Sequence, residues 1–277
     1  MTRASALAAL AALASAGAAE AQSVRFVACP IYRDTDAGRK SGCWLADEAA
    51  SGIRYDVSRS PTQPDWNFEI LIEGEPADEP DTACGGRVLH PVRVSVLPGA
   101  CTRHMLPAEG HPGRRFVLPP RNVRPLSEAR PPLEGPATTR TFHILFDFNR
   151  AFLVYQLSDY LFDQAITYIR SADPRRIVVT GHAATRPTLV SGRELAEDPA
   201  IAEARASLIR EALVRMGVPE DRIVVRTRTE ADIVAAEGAD GLAEPSRRRV
   251  DILVEVAGTQ EQARRPGGGA PSRPAGQ

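Results

Sequence analysis

Arg205 is the side chain whose place in the sequence demands a chemical partner. On a helix that turns by about 100° per residue, Leu208, Ile201, Ala212, Met216 and Ile209 form one apolar stripe with Arg205 near its middle. A guanidinium keeps its proton, and burying one unpaired against an apolar sheet costs several kcal/mol. Two kinds of partner stay open. An internal carboxylate, with Asp147 and Asp198 as candidates, makes Arg205 a structural ion-pair residue; a ligand carboxylate makes it a binding residue. An acid within reach of Arg205 across an open pocket favours the ligand, whereas a filled pocket favours a domain kept for contacts with other proteins.

The remaining candidates are simpler. Cys29, Cys43, Cys84 and Cys101 are an even set confined to the early part of the chain, and in an oxidising compartment such a set reads as disulfides. Cys29–Cys43 and Cys84–Cys101 are the expected pairs, because each closes a short, turn-rich loop. Zinc is not expected: there is no C-x-x-C pair, and His90 and His104 stand at no ligand spacing. Asp34, Asp36 and Gly38 imitate the start of a calcium loop, but Leu45 occupies the place of its bidentate Glu. His143 and His182 lack a Ser or Cys nucleophile context, and Ser191-Gly192-Arg193 fits no nucleophile elbow. No catalytic residue, metal or cofactor is expected, and no enzymatic activity.

The elements that must position these residues fall into regions of distinct composition. Residues 22–105 carry the cysteines, both tryptophans and strand-like runs such as Phe68–Ile72 and Val92–Leu97, separated by Gly and Pro. This predicts a small β-rich domain stapled by its bridges. Residues 106–139 are rich in proline and read as a stiff linker. From 140 to 256 the pattern is regular. Phe142, Ile144, Phe146 and Phe148 alternate with His143, Leu145 and Asp147 in a strand, and a helix follows with Leu157, Leu161, Ala165 and Tyr168 on one face. Ile177–Val179 is an interior strand, and Asp198-Pro199 starts a second helix that Gly217 closes. Ile223–Val225 and Val250–Val256 supply two more strands. The order β-α-β-α-β-β predicts an α/β (α+β) sandwich. Residues 257–277, made of Gly, Pro, Arg and Gln, have little to bury and read as a disordered tail.

Four segments in this order carry a resemblance: Phe146-Asp147-Phe148-Asn149; Val178-Val179-Thr180-Gly181-His182; Ala204-Arg205-Ala206 with Leu213 and Gly217 to Ile223; and Arg248-Arg249-Val250-Asp251-Ile252. Over residues 140–256 the chain resembles the OmpA-like (outer-membrane protein A C-terminal) peptidoglycan-binding domain family. The resemblance implies a site gripping the diaminopimelate side chain of the peptidoglycan stem peptide. An arginine would answer the ligand's carboxylate, in bidentate fashion, and acids its ammonium. Arg205 matches that arginine, Asp147 an acid at the end of the first strand, and Arg248 or Arg249 a basic contributor. Asp198 stands where family members have a polar helix cap. The sequence departs from the family pattern where Ala183-Ala184 follow Gly181-His182 in place of Thr-Asp, where Arg247 replaces an asparagine, and in a longer loop from Thr185 to Glu197.

The ends and the charge complete the expectation. Arg3, an apolar run from Ala4 to Ala16 and Ala19-Glu20-Ala21 read as a cleavable signal peptide, residues 1–21. No later segment approaches the about 20 apolar residues a membrane-spanning helix needs. A net charge of −1 gives no reason to expect nucleic acid. The expected function is therefore a non-enzymatic protein of the Gram-negative periplasm, associated with the cell envelope or outer membrane. It would bind peptidoglycan through Asp147, Asp198, Arg205 and Arg248. One alternative is a degenerate domain that serves as a scaffold for periplasmic or outer-membrane proteins; another is a small-ligand or enzymatic role in the N-terminal domain.

Overall fold

The structure, a computed structural model, describes residues 23–36, 42–79, 83–114, 135–153, 157–234 and 241–256. The expected signal peptide, the tail, Gly38 and most of the linker lie outside these residues.

The N-terminal region is a seven-stranded mixed sheet. Its strands are β1 (Val24–Ala28), β2 (Ile31–Arg33), β3 (Cys43–Asp47), β4 (Arg54–Asp56), β5 (Phe68–Pro76), β6 (Arg87–Ala100) and β7 (His104–Leu106), in the spatial order β1-β5-β6-β4-β3-β2-β7. The antiparallel pair β5–β6 is its spine, with Ile70 opposite Val96 and Ile72 opposite Val94. Ile70, Ile72 and Val94 pack with Phe26, Trp44 and Tyr55 on one face. The opposite face carries Leu71, Glu73, Arg93 and Ser95, and all four are buried. Two-sided burial of a strand requires a second covering layer. Here that layer is the C-terminal domain.

The expected cysteine pairing is incorrect. Cys29 bonds Cys101 and Cys43 bonds Cys84. Short loops suggested local bridges, but sheet order decides which cysteines meet. Cys29 follows β1 and Cys101 follows β6, the two strands that flank β5. Cys43 and Cys84 share a small core with Ile31 and Leu45. The bridges therefore span 72 and 41 residues of sequence, and the longer one joins the two ends of the domain.

The C-terminal domain contains β8 (Arg140–Leu145), α1 (Leu157–Ala172), β9 (Arg176–His182), a hairpin of β10 (Thr188–Val190) and β11 (Arg193–Leu195), α2 (Ala200–Arg215), β12 (Ile223–Arg228) and β13 (Arg249–Glu255). Its main sheet runs β12-β9-β13-β8. β9 and β12 are parallel and joined through α2, as a strand–helix–strand crossover requires, while β13 inserts antiparallel between β9 and β8. Ile144, Phe146, Ile177, Val179, Val250 and Ile252 form the core with the inner faces of both helices.

Helix α2 is rotated from the expected stripe. Ala202, Arg205, Ala206, Ile209, Ala212 and Leu213 are buried, whereas Ile201, Leu208 and Met216 are only partly so. The small residues face the sheet because α2 lies very close to β9. A Cβ on Gly181 would fall 1.9 Å from the carbonyl oxygen of Ala202, so only glycine permits the approach. Gly217, at φ +91°, ends the helix, with the Val218 N–H returning to the Leu213 carbonyl. The loop expected from Thr185 to Glu197 contains the hairpin.

Candidate functional site: a carboxylate cradle at Arg205

Arg205 lies with no solvent exposure at the ends of β8 and β9. All five of its N–H donors are used. Nε donates to the Arg150 carbonyl (2.8 Å), Nη1 to the His182 carbonyl (2.7 Å) and Nη2 to the Asp147 carbonyl (3.1 Å). The remaining two reach one carboxylate, that of Glu197, at 3.0 Å to Oε2 and 2.5 Å to Oε1. The guanidinium carbon stands 5.3 Å from the Phe146 ring centroid, which adds a cation–π contact.

Glu197 is held as fully as its partner. Its Oε1 also accepts the Asn149 N–H and its Oε2 the Ala184 N–H, each at 2.7 Å. A bidentate guanidinium and two backbone N–H groups thus converge on one carboxylate. Burial alone would raise the Glu197 pKa, but the Arg205 hydrogen bonds and charge outweigh it and hold the carboxyl below the ordinary glutamate range. Asn149 makes this possible by adopting φ +52°, a left-handed conformation that asparagine tolerates, in the turn closed by the Arg150 N–H on the Asp147 carbonyl. Its side-chain oxygen accepts the Asp198 N–H at 3.0 Å and so fixes the chain next to Glu197.

The other sequence-selected residues are placed as follows. Asp147 is buried just past the end of β8, where it accepts from Arg93 (3.0 Å) and Thr62 (2.5 Å) of the N-terminal region. Arg248 is buried and paired with Glu73 of β5, which also receives Arg25 at 2.9 Å. Asp198 is exposed, and its Oδ1 accepts the Ala200 N–H at 2.8 Å as a helix cap. Arg205, Asp147 and Arg248 are thus gathered in one region, but Asp147 gives Arg205 only its carbonyl oxygen. The internal partner is Glu197 rather than Asp147 or Asp198. Glu197, Glu73 and Arg93 were missed by sequence reasoning. Glu197 immediately precedes the helix-start pair Asp198-Pro199, a place that signals a cap rather than a buried acid. Glu73 and Arg93 lie in another region altogether.

Behind the cradle, Asp251 receives His143 (2.7 Å), His182 (2.8 Å) and Arg249 (2.7 Å). Burial would raise its pKa, but these three partners hold it far below the usual carboxylate range. His182 thereby links Asp251, 2.8 Å from its Nε2, to Arg205, which donates to its carbonyl. Outside the cradle, a cleft of about 290 Å³ opens over Ala184, bordered by Arg25, Phe148, Arg186, Glu230 and Arg247. The arrangement can do one thing chemically: grip a carboxylate. In this structure the carboxylate is supplied by the chain itself.

A two-helix α/β sandwich with an arginine-centred carboxylate cradle between strand ends is the class of domain these observations define. Residues 145–247 match the model of the OmpA family, and the C-terminal domain is OmpA-like. No curated protein matches the chain. Among solved structures, the OmpA-like domain of FopA1 from Francisella tularensis is similar at 17% identity, with a TM-score of 0.33, over 42% of this chain and 71% of that one. The peptidoglycan-associated lipoprotein from Burkholderia pseudomallei is similar at 24% identity, with a TM-score of 0.30, over 41% and 88%. The cell wall anchor of the T6SS from Pseudomonas aeruginosa is similar at 23% identity, with a TM-score of 0.31, over 41% and 76%.

Proposed function

We propose that this is a non-enzymatic protein of the cell envelope, exported to the periplasm, whose OmpA-like domain holds a carboxylate cradle already occupied by Glu197. In this closed form the domain serves as a scaffold on which the N-terminal sheet docks. Tethering to peptidoglycan, through a carboxylate of its diaminopimelate-containing stem peptide, belongs to a form in which Glu197 has left Arg205. The observation that carries this reading is the four-point grip on the Glu197 carboxylate by Arg205, Asn149 and Ala184. Arg205 matches the residue that the family resemblance assigns to the ligand carboxylate, so Glu197 stands where the ligand group would. An intramolecular competitor acts at an effective concentration on the order of mM or more, which weakens any external carboxylate. A non-enzymatic role is supported by the commitment of these charged groups to internal ion pairs: Arg205 to Glu197, Asp147 to Arg93, Arg248 to Glu73 and Asp251 to Arg249.

Co-sedimentation with purified peptidoglycan sacculi tests the proposal. The wild-type chain is expected to pellet weakly, and Glu197→Ala, checked for folding by circular dichroism, several-fold more. Wild-type protein pelleting as strongly as Glu197→Ala would contradict an occupied cradle. A second reading, a permanent scaffold without wall affinity, is favoured by Ala184 in place of an acid and by the engagement of Asp147 and Arg248 with Arg93 and Glu73. Failure of Glu197→Ala to pellet selects it.

A further inference from the structure

Glu197 stands at the foot of the β10–β11 hairpin, and the N-terminal sheet holds that hairpin at three points. Arg25 Nη1 donates to Thr188 Oγ1 at 2.9 Å, the Val27 N–H donates to Ser191 Oγ at 2.9 Å, and Arg193 pairs with both carboxylate oxygens of Glu69. Val190 is buried between these contacts against Leu71 and Leu97 of the sheet and Phe148 of the C-terminal domain. β1 is an edge strand, and an edge N–H such as that of Val27 needs a partner other than a neighbouring strand. Ala196 is the single residue between the end of β11 and Glu197. A hairpin fixed to the sheet therefore leaves Glu197 little freedom to withdraw.

We infer that the N-terminal sheet is a clamp, in cis, that keeps Glu197 in the Arg205 cradle, and that releasing the hairpin from the sheet opens the cradle to a free carboxylate. The inference rests on the reading of the cradle as a carboxylate site. Its geometry supplies a way in. The cleft that opens over Ala184 is bordered by Arg25 of the sheet and by Thr188 and Leu195 of the hairpin, so moving the hairpin widens the approach to the Ala184 N–H donor. Among the described residues, Thr188, Ser191 and Arg193 make no hydrogen bond or ion pair with Arg205 or the Glu197 carboxylate, which makes the two separable by mutation.

Amide hydrogen exchange on the full chain tests it without any ligand. The Asn149 and Ala184 N–H groups are bonded to the Glu197 side chain and report directly on whether it is in place. Arg193→Glu, a charge reversal against Glu69 at the surface, is expected to speed exchange at both amides at least tenfold while Val179 and Ile252 in the main sheet stay protected. Adding Glu69→Arg is expected to restore protection. Ser191→Ala is a milder variant that should move the same two amides in the same direction. Unchanged protection at Asn149 and Ala184 in Arg193→Glu, whether or not the hairpin amides loosen, would overturn the clamp. Sacculus co-sedimentation of the same proteins separates this failure from that of the wall-binding reading. If Glu197→Ala pellets and Arg193→Glu neither pellets nor deprotects the amides, the clamp is wrong and the cradle reading stands. If Arg193→Glu deprotects both amides and Glu197→Ala still does not pellet, the clamp stands and wall binding falls.

Discussion

The N-terminal sheet and the C-terminal domain achieve internal cohesion by different means. The first is tied by two covalent bridges across long stretches of chain, and its apolar core is completed by Trp44, Tyr55 and Phe26. The second has no cysteine, a larger apolar core and, at its edge, a fully buried ion pair. Such a pair contributes little net stability compared with apolar residues of the same shape, yet losing one partner is severe because the other charge is stranded. Here the pair fixes one carboxylate at a strand end through four hydrogen bonds. The sheet's bridges enforce shape through covalent bonds; the C-terminal pair does so by setting one charge against another. Where the two regions meet, sheet residues Glu73 and Arg93 answer C-terminal Arg248 and Asp147, so the interface extends the second strategy.

The contrast can be broken most readily at the pair itself. Arg205→Ala or Glu197→Ala should each destabilise the chain by about 3–5 kcal/mol in urea unfolding. The double replacement should cost less than the sum of the two, since neither charge is then stranded. Equal and additive losses would mean the two charges are not coupled. Replacing either disulfide by paired serines should cost about 4 kcal/mol, the loop-closure estimate for bridges of this span. The loss should appear in exchange at β1, β5 and β6 before β9 and β13; uniform loss across both regions would remove the distinction between them. The smallest effect is expected for Asp47→Asn at the surface pair with Arg54, which lies at the sheet's exposed side. A change below about 1 kcal/mol is predicted there, and a larger one would place electrostatics among the sheet's main supports.

Much of the C-terminal architecture was legible because hydrophobic period and caps speak for themselves. Phe142 and Ile144 marked a strand, Asp198-Pro199 and Gly217 bracketed a helix, and Arg205 on an apolar face demanded an anionic partner, internal or from a ligand. What escaped depended on distance in sequence. The sheet order β1-β5-β6-β4-β3-β2-β7 crosses the chain repeatedly, so short loops misled the cysteine pairing. Small residues on α2 rotated the helix because Gly181 allows close approach, and periodicity weights large apolar residues instead. Nothing local in their strands signals that Glu73 and Arg93 are buried; their burial comes from the second domain laid over that face. Glu197, one residue ahead of a helix cap, gave no sign that it would turn inward.

The occupied cradle is tested most directly by following the side-chain carboxyl carbon of Glu197 by NMR through an acid titration. Because its folded-state pKa lies below the unfolded value, the stability it contributes is present above the ordinary glutamate pKa of about 4.3 and is lost as pH falls through the folded value. The account predicts a carboxyl signal that stays ionised below that ordinary value and changes only together with the loss of protection at Asn149 and Ala184. A Glu197 signal titrating at the ordinary value, with those two amides unaffected, would contradict it.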